Sequence, residues 1–180
     1  MRVIAGQWRG RKIVAPKGET TRPTADRTRE TLFSMLASRL GSFDELRVAD
    51  LFAGSGALGL EALSRGAGHC LFVEQEDDAL KSIRANLAAF DARSRSDVRA
   101  GSVMALGPAK EPLDLILLDP PYGTGAGQVA LDRLLRLGWI GDATWIALET
   151  SRDEIVTVKG LDIEKGRPVG KAKLTLLTRT

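Results

Sequence analysis

The tetrapeptide Asp-Pro-Pro-Tyr at positions 119–122 has the residue types needed to activate a weakly nucleophilic amine. It follows the apolar run 113–118, which is typical of a buried strand. The exocyclic amine of a nucleic-acid base is a poor nucleophile because its lone pair is delocalised into the ring. Asp119 and the Pro120 carbonyl can each accept one N–H and stabilise the charge that develops on the nitrogen, while Tyr122 can stack on the base. The tetrapeptide therefore predicts methylation of a base amine; a plain strand-ending turn is the alternative.

A glycine-rich loop upstream predicts a site for an adenosine-containing cofactor. Gly54, Gly56 and Gly59 have the spacing G-x-G-x-x-G between a predicted strand and a predicted helix. Glycines at these positions let the backbone turn tightly and approach a ligand closely. The next strand ends at Glu74, 20 residues after Gly54, where a carboxylate can accept hydrogen bonds from ribose hydroxyls. The loop alone does not distinguish NAD from S-adenosyl-L-methionine.

Asp50, at the end of the first strand of this unit, favours S-adenosyl-L-methionine. A carboxylate there points toward the amino-acid end of that cofactor and can hold its ammonium group directly or through water. In a dinucleotide enzyme the same turn faces a pyrophosphate, which an added negative charge would repel. The cofactor-binding residues predicted in this part of the chain are Asp50, Phe52, Gly54, Ser55, Gly56 and Glu74.

Short apolar strands alternate with helical segments from residue 46 onward, which predicts an α/β fold with a parallel sheet covered on both faces. We predict strands at 47–52, 70–73, 98–100, 113–118 and 145–148, helices at 57–64, 77–90 and 128–137, and two further strands at 155–158 and 173–178. No long helix separates the last two, so the sheet is expected to finish antiparallel. The fourth strand should lie beside the first, at the switch point where such sheets bind ligands.

The chain begins with a different pattern. Two short runs with β-branched residues, 2–5 and 11–15, flank a glycine-bearing turn and predict a β-hairpin. A helix is predicted at 24–40, with Thr24 as its N-terminal cap and Gly41 as its stop.

Basic residues are concentrated at the two ends of the chain. Residues 1–29 carry eight Lys and Arg against two acidic residues, and residues 159–180 carry six against two, although the net charge is only +3. This distribution suggests a polyanionic partner held by the ends, but on charge alone plain solvated faces are the favoured interpretation, and the asymmetry does not establish nucleic-acid binding. We expect residues 1–20 to form a hairpin extension that would grip such a partner, and residues 21–180 to form the catalytic domain.

Composition excludes several other classes of protein. No apolar run reaches the ~20 residues of a membrane helix, and no signal-peptide pattern follows Met1. One cysteine, Cys70, and one histidine, His69, leave no internal disulfide and too few ligands for a zinc site, so no metal is expected. Cys70 is expected to be a packing residue. We expect a cytoplasmic monomer with no membrane partner.

The sequence resembles the RsmD-like family, bacterial methyltransferases of guanine N2 in small-subunit (16S) ribosomal RNA. The matching segments are RVIAGQWRGRKI at 2–13, TRPTADRTRETLF at 21–33, DLFAGSG at 50–56, VE at 73–74 and DPPY at 119–122. The glycine loop and the tetrapeptide are shared with other methyltransferases, whereas the two N-terminal segments are specific to this family.

The resemblance implies a Rossmann-like class I methyltransferase fold with a mostly parallel seven-stranded sheet, an antiparallel C-terminal strand and an N-terminal β-hairpin. It also implies S-adenosyl-L-methionine as donor and ribosomal RNA, within an assembling small subunit, as substrate. Catalysis would involve Asp119, Pro120 and Tyr122. The substrate-binding residues would be Arg2, Trp8, Arg9, Arg11, Lys12, Arg22, Pro23, Thr24 and Arg27.

One position departs from the family pattern. Related methyltransferases carry an acidic residue after the third strand to bind the adenine amino group, but Ser102 stands there in this chain. Ser102 is a weaker acceptor, so we expect the backbone of Ser102 and Val103 to hold the adenine instead, with some loss of affinity.

Several alternatives remain open at the level of sequence. Trp8 can stack on RNA or pack beneath the hairpin, and the glycine-rich loop 123–127 can close over the base or act as an inert linker. For the whole chain, the alternatives are an adenine-N6 DNA methyltransferase, an NAD-dependent oxidoreductase and a catalytically inactive RNA-binding module.

Overall fold

A computed structural model describes residues 1–18 and 23–180, with the backbone alone at residues 23 and 24. The helices are α1 (Pro23–Leu40), α2 (Ala57–Ser64), α3 (Asp77–Ala89) and α4 (Ala126–Arg136), with 3-10 turns at Arg93–Arg95 and Val103–Ala105. The strands are β1 (Arg47–Leu51), β2 (His69–Glu74), β3 (Ser96–Ala100), β4 (Leu113–Leu118), β5 (Ile140–Ser151), β6 (Leu161–Val169) and β7 (Ala172–Arg179).

All seven strands form one sheet in the order β3-β2-β1-β4-β5-β7-β6. The first five positions in that order pair in parallel, and β7 runs antiparallel between β5 and β6. The predicted fold class is confirmed, including the antiparallel finish. The fourth strand does lie beside the first, so the strand order reverses between β1 and β4 and leaves a crevice beyond their carboxyl ends.

The central strands are apolar throughout because both faces of the sheet are covered. Leu115 and Leu117 pack into one core with α1, α2 and α3, while Ile116 and Leu118 pack into a second core with α4. Successive strand residues point to opposite faces, which places one alternate set in each core.

The N-terminal segment is an antiparallel ribbon and not the regular hairpin of strands 2–5 and 11–15 that we predicted. A single bridge joins Arg2 to Lys12. Beyond it the backbone bonds to side chains of the domain: Ile4 donates to the Glu61 carboxylate at 2.9 Å, and Val14 donates to Asn86 Oδ1 at 2.9 Å. These long-range bonds replace the strand pairing that would have extended the hairpin.

The ribbon also contributes to the first core of the domain. Val3, Trp8 and Ile13 are buried within the same cluster as α1 and α2. The N-terminal segment is therefore packed against the α/β domain along its inner face, and its basic residues are exposed.

The prediction of a strand at 155–158 is wrong. Val156 and Val158 are buried, but Ile155 is 79% exposed, and the Thr157 N–H donates to the side chain of Gln128 at 2.9 Å instead of to a strand. The edge strand β6 follows instead, exposed along most of its length, so it lacks the apolar pattern by which strands are recognised.

The first helix begins at Pro23, which suits the first helical position because proline has no N–H to leave unpaired. Thr24 therefore lies inside the first turn, and the prediction that it caps the helix is wrong. Gly41 does end the helix, with a φ of +74° and an N–H that donates to Ala37 at 3.0 Å. No helix in the described ranges combines the length and apolarity needed to cross a membrane.

Candidate active site

A cavity of about 870 Å³ opens at the carboxyl ends of the parallel strands, where β1 and β4 lie side by side. We call it the site cavity. Its walls include the glycine loop, the Asp-Pro-Pro-Tyr tetrapeptide, the start of α1 and the turn between β6 and β7. Predicted residues that line it are Arg27, Asp50, Phe52, Gly54, Ser55, Glu74, Ser102, Val103, Asp119, Pro120 and Tyr122.

The three glycines of the loop have different tasks. Gly54 and Gly56 have φ values of +58° and +82°, a conformation that other residues adopt with strain. A Cβ at Gly54 would meet nothing within 4 Å, so the backbone there borders open space in which a ligand can approach. A Cβ at Gly59 would lie 2.4 Å from the Phe72 ring and 2.7 Å from Cys70 Sγ. Gly59 therefore lets α2 pack closely on β2, against a buried Cys70 that serves as packing.

Asp50 is buried beneath this loop with half of its carboxylate paired. Its Oδ2 accepts the Gly59 N–H at 2.9 Å, whereas Oδ1 has no hydrogen-bond partner among the described residues. Burial raises the pKa of Asp50 to about 8; the Gly59 hydrogen bond opposes the shift, and the charge of Glu74 adds to it. A buried, unpaired acceptor beside a ligand-sized cavity fits a cationic group such as an ammonium.

Glu74 is held rigidly at the end of β2. One carboxylate oxygen accepts the Gly54 N–H at 2.8 Å, and the other accepts the N–H groups of Gln75 and Glu76 at 2.8 Å each. A carboxylate has about four lone-pair positions, and these three bonds leave one of them for a ribose hydroxyl. Glu74 thus also braces the glycine loop, and Phe52 completes the turn with a φ of +59°.

Ser102 and Val103 lie at the start of a 3-10 turn on the cavity wall. The Ser102 hydroxyl accepts the Met104 N–H at 3.1 Å and caps this turn, while Val103 is buried in the second core. The Ser102 side chain is therefore engaged in local structure, and adenine binding by the backbone of Ser102 and Val103 stays a prediction.

The tetrapeptide forms the opposite wall. Asp119 is exposed to the cavity, and its N–H donates to the Leu51 carbonyl at 3.4 Å, which ties the end of β4 to the end of β1. Pro120 is buried, and a Cβ on Gly127 would lie 3.1 Å from Pro120 Cγ, so α4 packs closely behind the tetrapeptide. Asp119 and Pro120, the predicted acceptors, are therefore supported by closely packed backbone.

Tyr122 is 48% exposed, and its hydroxyl donates to Glu149 Oε2 at 2.7 Å. Partial burial is the main cause that raises the pKa of Tyr122 above its ordinary value, followed by the hydrogen bond to Glu149 and the charges of Glu149 and Asp119. Tyr122 is thus a neutral phenol with an exposed ring surface between two carboxylates.

The predicted substrate-binding residues of the N-terminal segment fall into two groups. Arg2, Arg9, Arg11 and Lys12 are exposed, although the Arg11 guanidinium lies over the Phe90 ring and donates to the Ala89 carbonyl at 2.7 Å. Trp8 is only 4% exposed and stacks on Phe90 with ring centroids 5.0 Å apart, so its prediction as a substrate-binding residue is wrong and the packing alternative is correct. Its ring is enclosed because Phe90, distant in sequence, covers it.

Of the family-specific arginine segment, Arg27 is exposed at the start of α1 and lines the site cavity. Arg22 and the side chains of Pro23 and Thr24 lie outside the described part of the chain. In residues 1–18 and 23–180, no group of three or more His, Cys, Asp or Glu side chains is arranged to hold a metal ion.

Reasoning from the sequence missed several residues that support the site. Asn86 on α3 is buried and hydrogen-bonded to both the ribbon and the glycine loop. Glu61 on α2 is fully buried and pairs with Arg29 and Arg65. A polar residue at helical spacing within an apolar face is the signal that could have identified Asn86 and Glu61. Glu149 and Lys171, which also line the cavity, carry no such signal.

Comparisons with known proteins agree with this geometry. A family model described as "Conserved hypothetical protein 95" matches residues 1–178. The chain is 35% identical over 176 residues to the ribosomal RNA small subunit methyltransferase D of Escherichia coli K12, covering 98% of this chain and 82% of that one. It is 34% identical over 175 residues to the protein of the same name from Haemophilus influenzae, covering 94% and 89%.

A solved structure, "Putative methyltransferase yhhF from Escherichia coli", superposes with a TM-score of 0.87 at 35% identity, covering 99% of this chain and 97% of that one. The fold is that of the class I methyltransferases. Together with the sequence matches, this shows that the chain belongs to the family described as conserved hypothetical protein 95, the RsmD-like family that its sequence motifs resemble.

Proposed function

We propose that this protein transfers a methyl group from S-adenosyl-L-methionine to the N2 amine of a guanine in small-subunit ribosomal RNA. One observation carries the proposal: Asp119 and Pro120 line the same cavity as the glycine loop, across the junction of β1 and β4. The two acceptors proposed to orient the amine therefore border the same cavity as the loop proposed to bind the cofactor. Relatives that bear the name ribosomal RNA small subunit methyltransferase D support the choice of substrate.

The chain's own residues fit the cofactor. The unpaired Oδ1 of Asp50 suits its ammonium group, the open backbone at Gly54 suits close approach, and Glu74 retains acceptor capacity for its ribose. S-adenosyl-L-methionine, when bound, supplies a methyl group activated by a sulfonium. The relatives that are named as methyltransferases argue against the oxidoreductase alternative.

Asp119 and the Pro120 carbonyl would accept the two N–H groups of the target amine and direct the nitrogen lone pair toward the methyl carbon. As positive charge develops on the nitrogen, the Asp119 carboxylate stabilises it and can accept the proton that the nitrogen loses. Tyr122 would stack on the base once it has left its neighbours in the RNA. No strong base is required, because the nitrogen becomes acidic only as the new bond forms.

Exposed cations around the site cavity would bind the RNA backbone. Arg27 and Lys171 line the cavity from opposite elements, and the ribbon adds the exposed Arg2, Arg9, Arg11 and Lys12. Phosphate contacts of this kind supply affinity that depends on salt and not on sequence. In this proposal residues 1–20 are the main RNA-gripping element of a cytoplasmic monomer.

A tritiated-methyl assay with naked ribosomal RNA, assembled small subunits and DNA tests the proposal. Nucleosides from the labelled product are then separated and identified by mass. We expect label in N2-methylguanosine from ribosomal RNA or small subunits and none from DNA. Label in N6-methyladenine would reject the proposal in favour of the adenine-specific alternative, and no label in any substrate would favour an inactive binding module.

A further inference from the structure

Glu149 lies beside the catalytic tetrapeptide at the end of a neighbouring strand. Leu118 of β4 and Leu148 of β5 are partners in the parallel register; Glu149 is the next residue of β5, and Asp119 is the first residue after β4 ends. Both side chains line the site cavity. Two carboxylates therefore border the same cavity, each one residue past a paired position on neighbouring strands.

The Glu149 carboxylate is fixed in place by Tyr122. The Tyr122 hydroxyl donates to Oε2 at 2.7 Å, and this bond uses one of about four lone-pair positions on the carboxylate. An ionised carboxylate accepts hydrogen bonds and donates none, so Glu149 presents a pure acceptor to the cavity. A base that stacks on Tyr122 would turn an edge toward this acceptor.

Only one base edge matches two adjacent acceptors. Guanine presents the N1–H and the N2 amine side by side on its Watson–Crick edge, both as donors. Adenine and cytosine place a ring nitrogen without a proton next to their amine, and that nitrogen would face a carboxylate lone pair at a cost. Asp119 and Glu149 together therefore favour a base whose amine has a protonated ring nitrogen beside it, which is guanine.

We propose that Glu149 is a specificity-determining residue that accepts the N1–H of the target guanine while Asp119 holds the N2 amine. This inference rests on the proposed function and deepens it, because it explains how an amine-methylating site selects guanine. Tyr122 then has two tasks: its ring stacks on the base, and its hydroxyl orients the Glu149 carboxylate.

The test compares guanosine with 2-aminopurine riboside at the modified position of the RNA substrate. The analogue keeps the exocyclic amine but has an unprotonated N1 and no O6. We expect the wild-type protein to prefer guanosine by about 10- to 100-fold in kcat/KM, the range of one charge-assisted hydrogen bond. In Glu149→Gln this preference should fall to within about threefold of unity, because the amide can donate to the unprotonated N1 as well as accept from an N1–H.

Tyr122→Phe is the matched control. It removes the hydroxyl that orients Glu149 but keeps the ring and the carboxylate, so the preference should fall only in part and remain larger than in Glu149→Gln. If Glu149 served only to hold Tyr122, Glu149→Gln would slow both substrates equally and leave the preference unchanged, and that result would overturn the inference. A wild-type protein without any preference would overturn it too.

One further measurement and two distinct outcomes keep the interpretation clear. If Glu149→Gln loses turnover, binding of the two RNAs in the presence of S-adenosylhomocysteine gives the same comparison. A wild-type protein that methylates no guanine contradicts the proposed function itself. One that methylates guanine N2 with a preference insensitive to Glu149 contradicts only the role of Glu149.

Discussion

Asn86 donates from its side-chain amide to the carbonyl of Ser55 at 3.0 Å, which joins the C-terminal part of α3 to the glycine loop. The same amide donates to the Val14 carbonyl at 3.0 Å, and Asn86 Oδ1 accepts the Val14 N–H at 2.9 Å. One buried side chain therefore links the basic ribbon to the cofactor loop. These hydrogen bonds hold the ribbon and the glycine loop in fixed positions relative to one another, although the two segments lie far apart in the sequence.

Replacing Asn86 with Leu should weaken both the fold and cofactor binding. The change leaves the Ser55 carbonyl and the backbone of Val14 without these partners, and each buried polar group left unpaired costs about 1–3 kcal/mol. We expect a lower free energy of unfolding in denaturant titrations and weaker binding of S-adenosylhomocysteine by calorimetry. Ser82→Ala, on the same helix, is the control and should leave cofactor affinity unchanged. Equal affinity in Asn86→Leu and wild type would contradict the linking role.

Replacing Asp119 with Asn should abolish most turnover and spare the cofactor site. The amide keeps the size of the side chain but loses the negative charge that stabilises the developing ammonium, an effect of about 100- to 1000-fold in kcat. Single-turnover methyl transfer measures the loss, and calorimetry with S-adenosylhomocysteine should show unchanged binding. Asp153→Asn, at an exposed turn, is the matched control. Full turnover in Asp119→Asn would remove Asp119 from the mechanism.

The periodicity of apolar residues was sufficient to predict the helices and strands that lie in a regular environment. The strand 113–118 and the helix 57–64 were predicted with the bounds that the structure has, because a run buried on both faces and a helix behind a glycine loop leave clear local patterns. The order of β1 and β4, and hence the place of the site, followed from this alternation. The positions of Asp119 and Asp50 in the fold could therefore be predicted from the sequence.

Features that depend on partners distant in the chain could not be predicted locally. Burial of Trp8 depends on Phe90, and the irregular backbone near Ile4 depends on the buried Glu61. The edge strand β6 is exposed along most of its length and carries no apolar alternation, so its pairing with β7 decides its structure. Glu149 gained its significance only when the register of β4 and β5 placed it beside Asp119.

Cofactor binding should release a proton below about pH 8. Burial raises the pKa of Asp50 from 3.8 to about 8, so Asp50 is protonated in the free folded protein at neutral pH. An ammonium group beside it favours the carboxylate and expels that proton. Calorimetry with S-adenosylhomocysteine at pH 7, in buffers of different ionisation enthalpy, should detect the release, and affinity should rise with pH up to about 8.

The same pKa shift has a consequence for stability. Because the folded protein binds this proton more tightly than the unfolded chain, the contribution of Asp50 to stability is present below about pH 4 and decreases as pH rises toward 8. In Asp50→Asn, which cannot ionise, both the proton release and this part of the pH dependence should disappear. Proton release that persists in Asp50→Asn would assign it to another group.

Charge reversal at exposed residues of the ribbon should weaken RNA binding without affecting the cofactor site. Arg9 and Lys12 are exposed, whereas Val3, Trp8 and Ile13 are the ribbon residues that pack into the core. If each contacts one phosphate, Arg9→Glu and Lys12→Glu should each reduce affinity for ribosomal RNA uniformly across sequences and lower the slope of log K against log salt by about 1. Filter binding over a range of salt concentrations measures both effects.

Lys110→Glu is the matched control for these reversals. Lys110 is exposed and precedes β4, at the end of the strands opposite to the site cavity, so its reversal changes the net charge equally but should leave the salt slope unchanged. S-adenosylhomocysteine should bind all three variants as it binds the wild type, since none of these side chains lines the cavity. If Lys110→Glu weakened RNA binding as much as Arg9→Glu, the attraction would come from overall charge and the ribbon would have no special part in it.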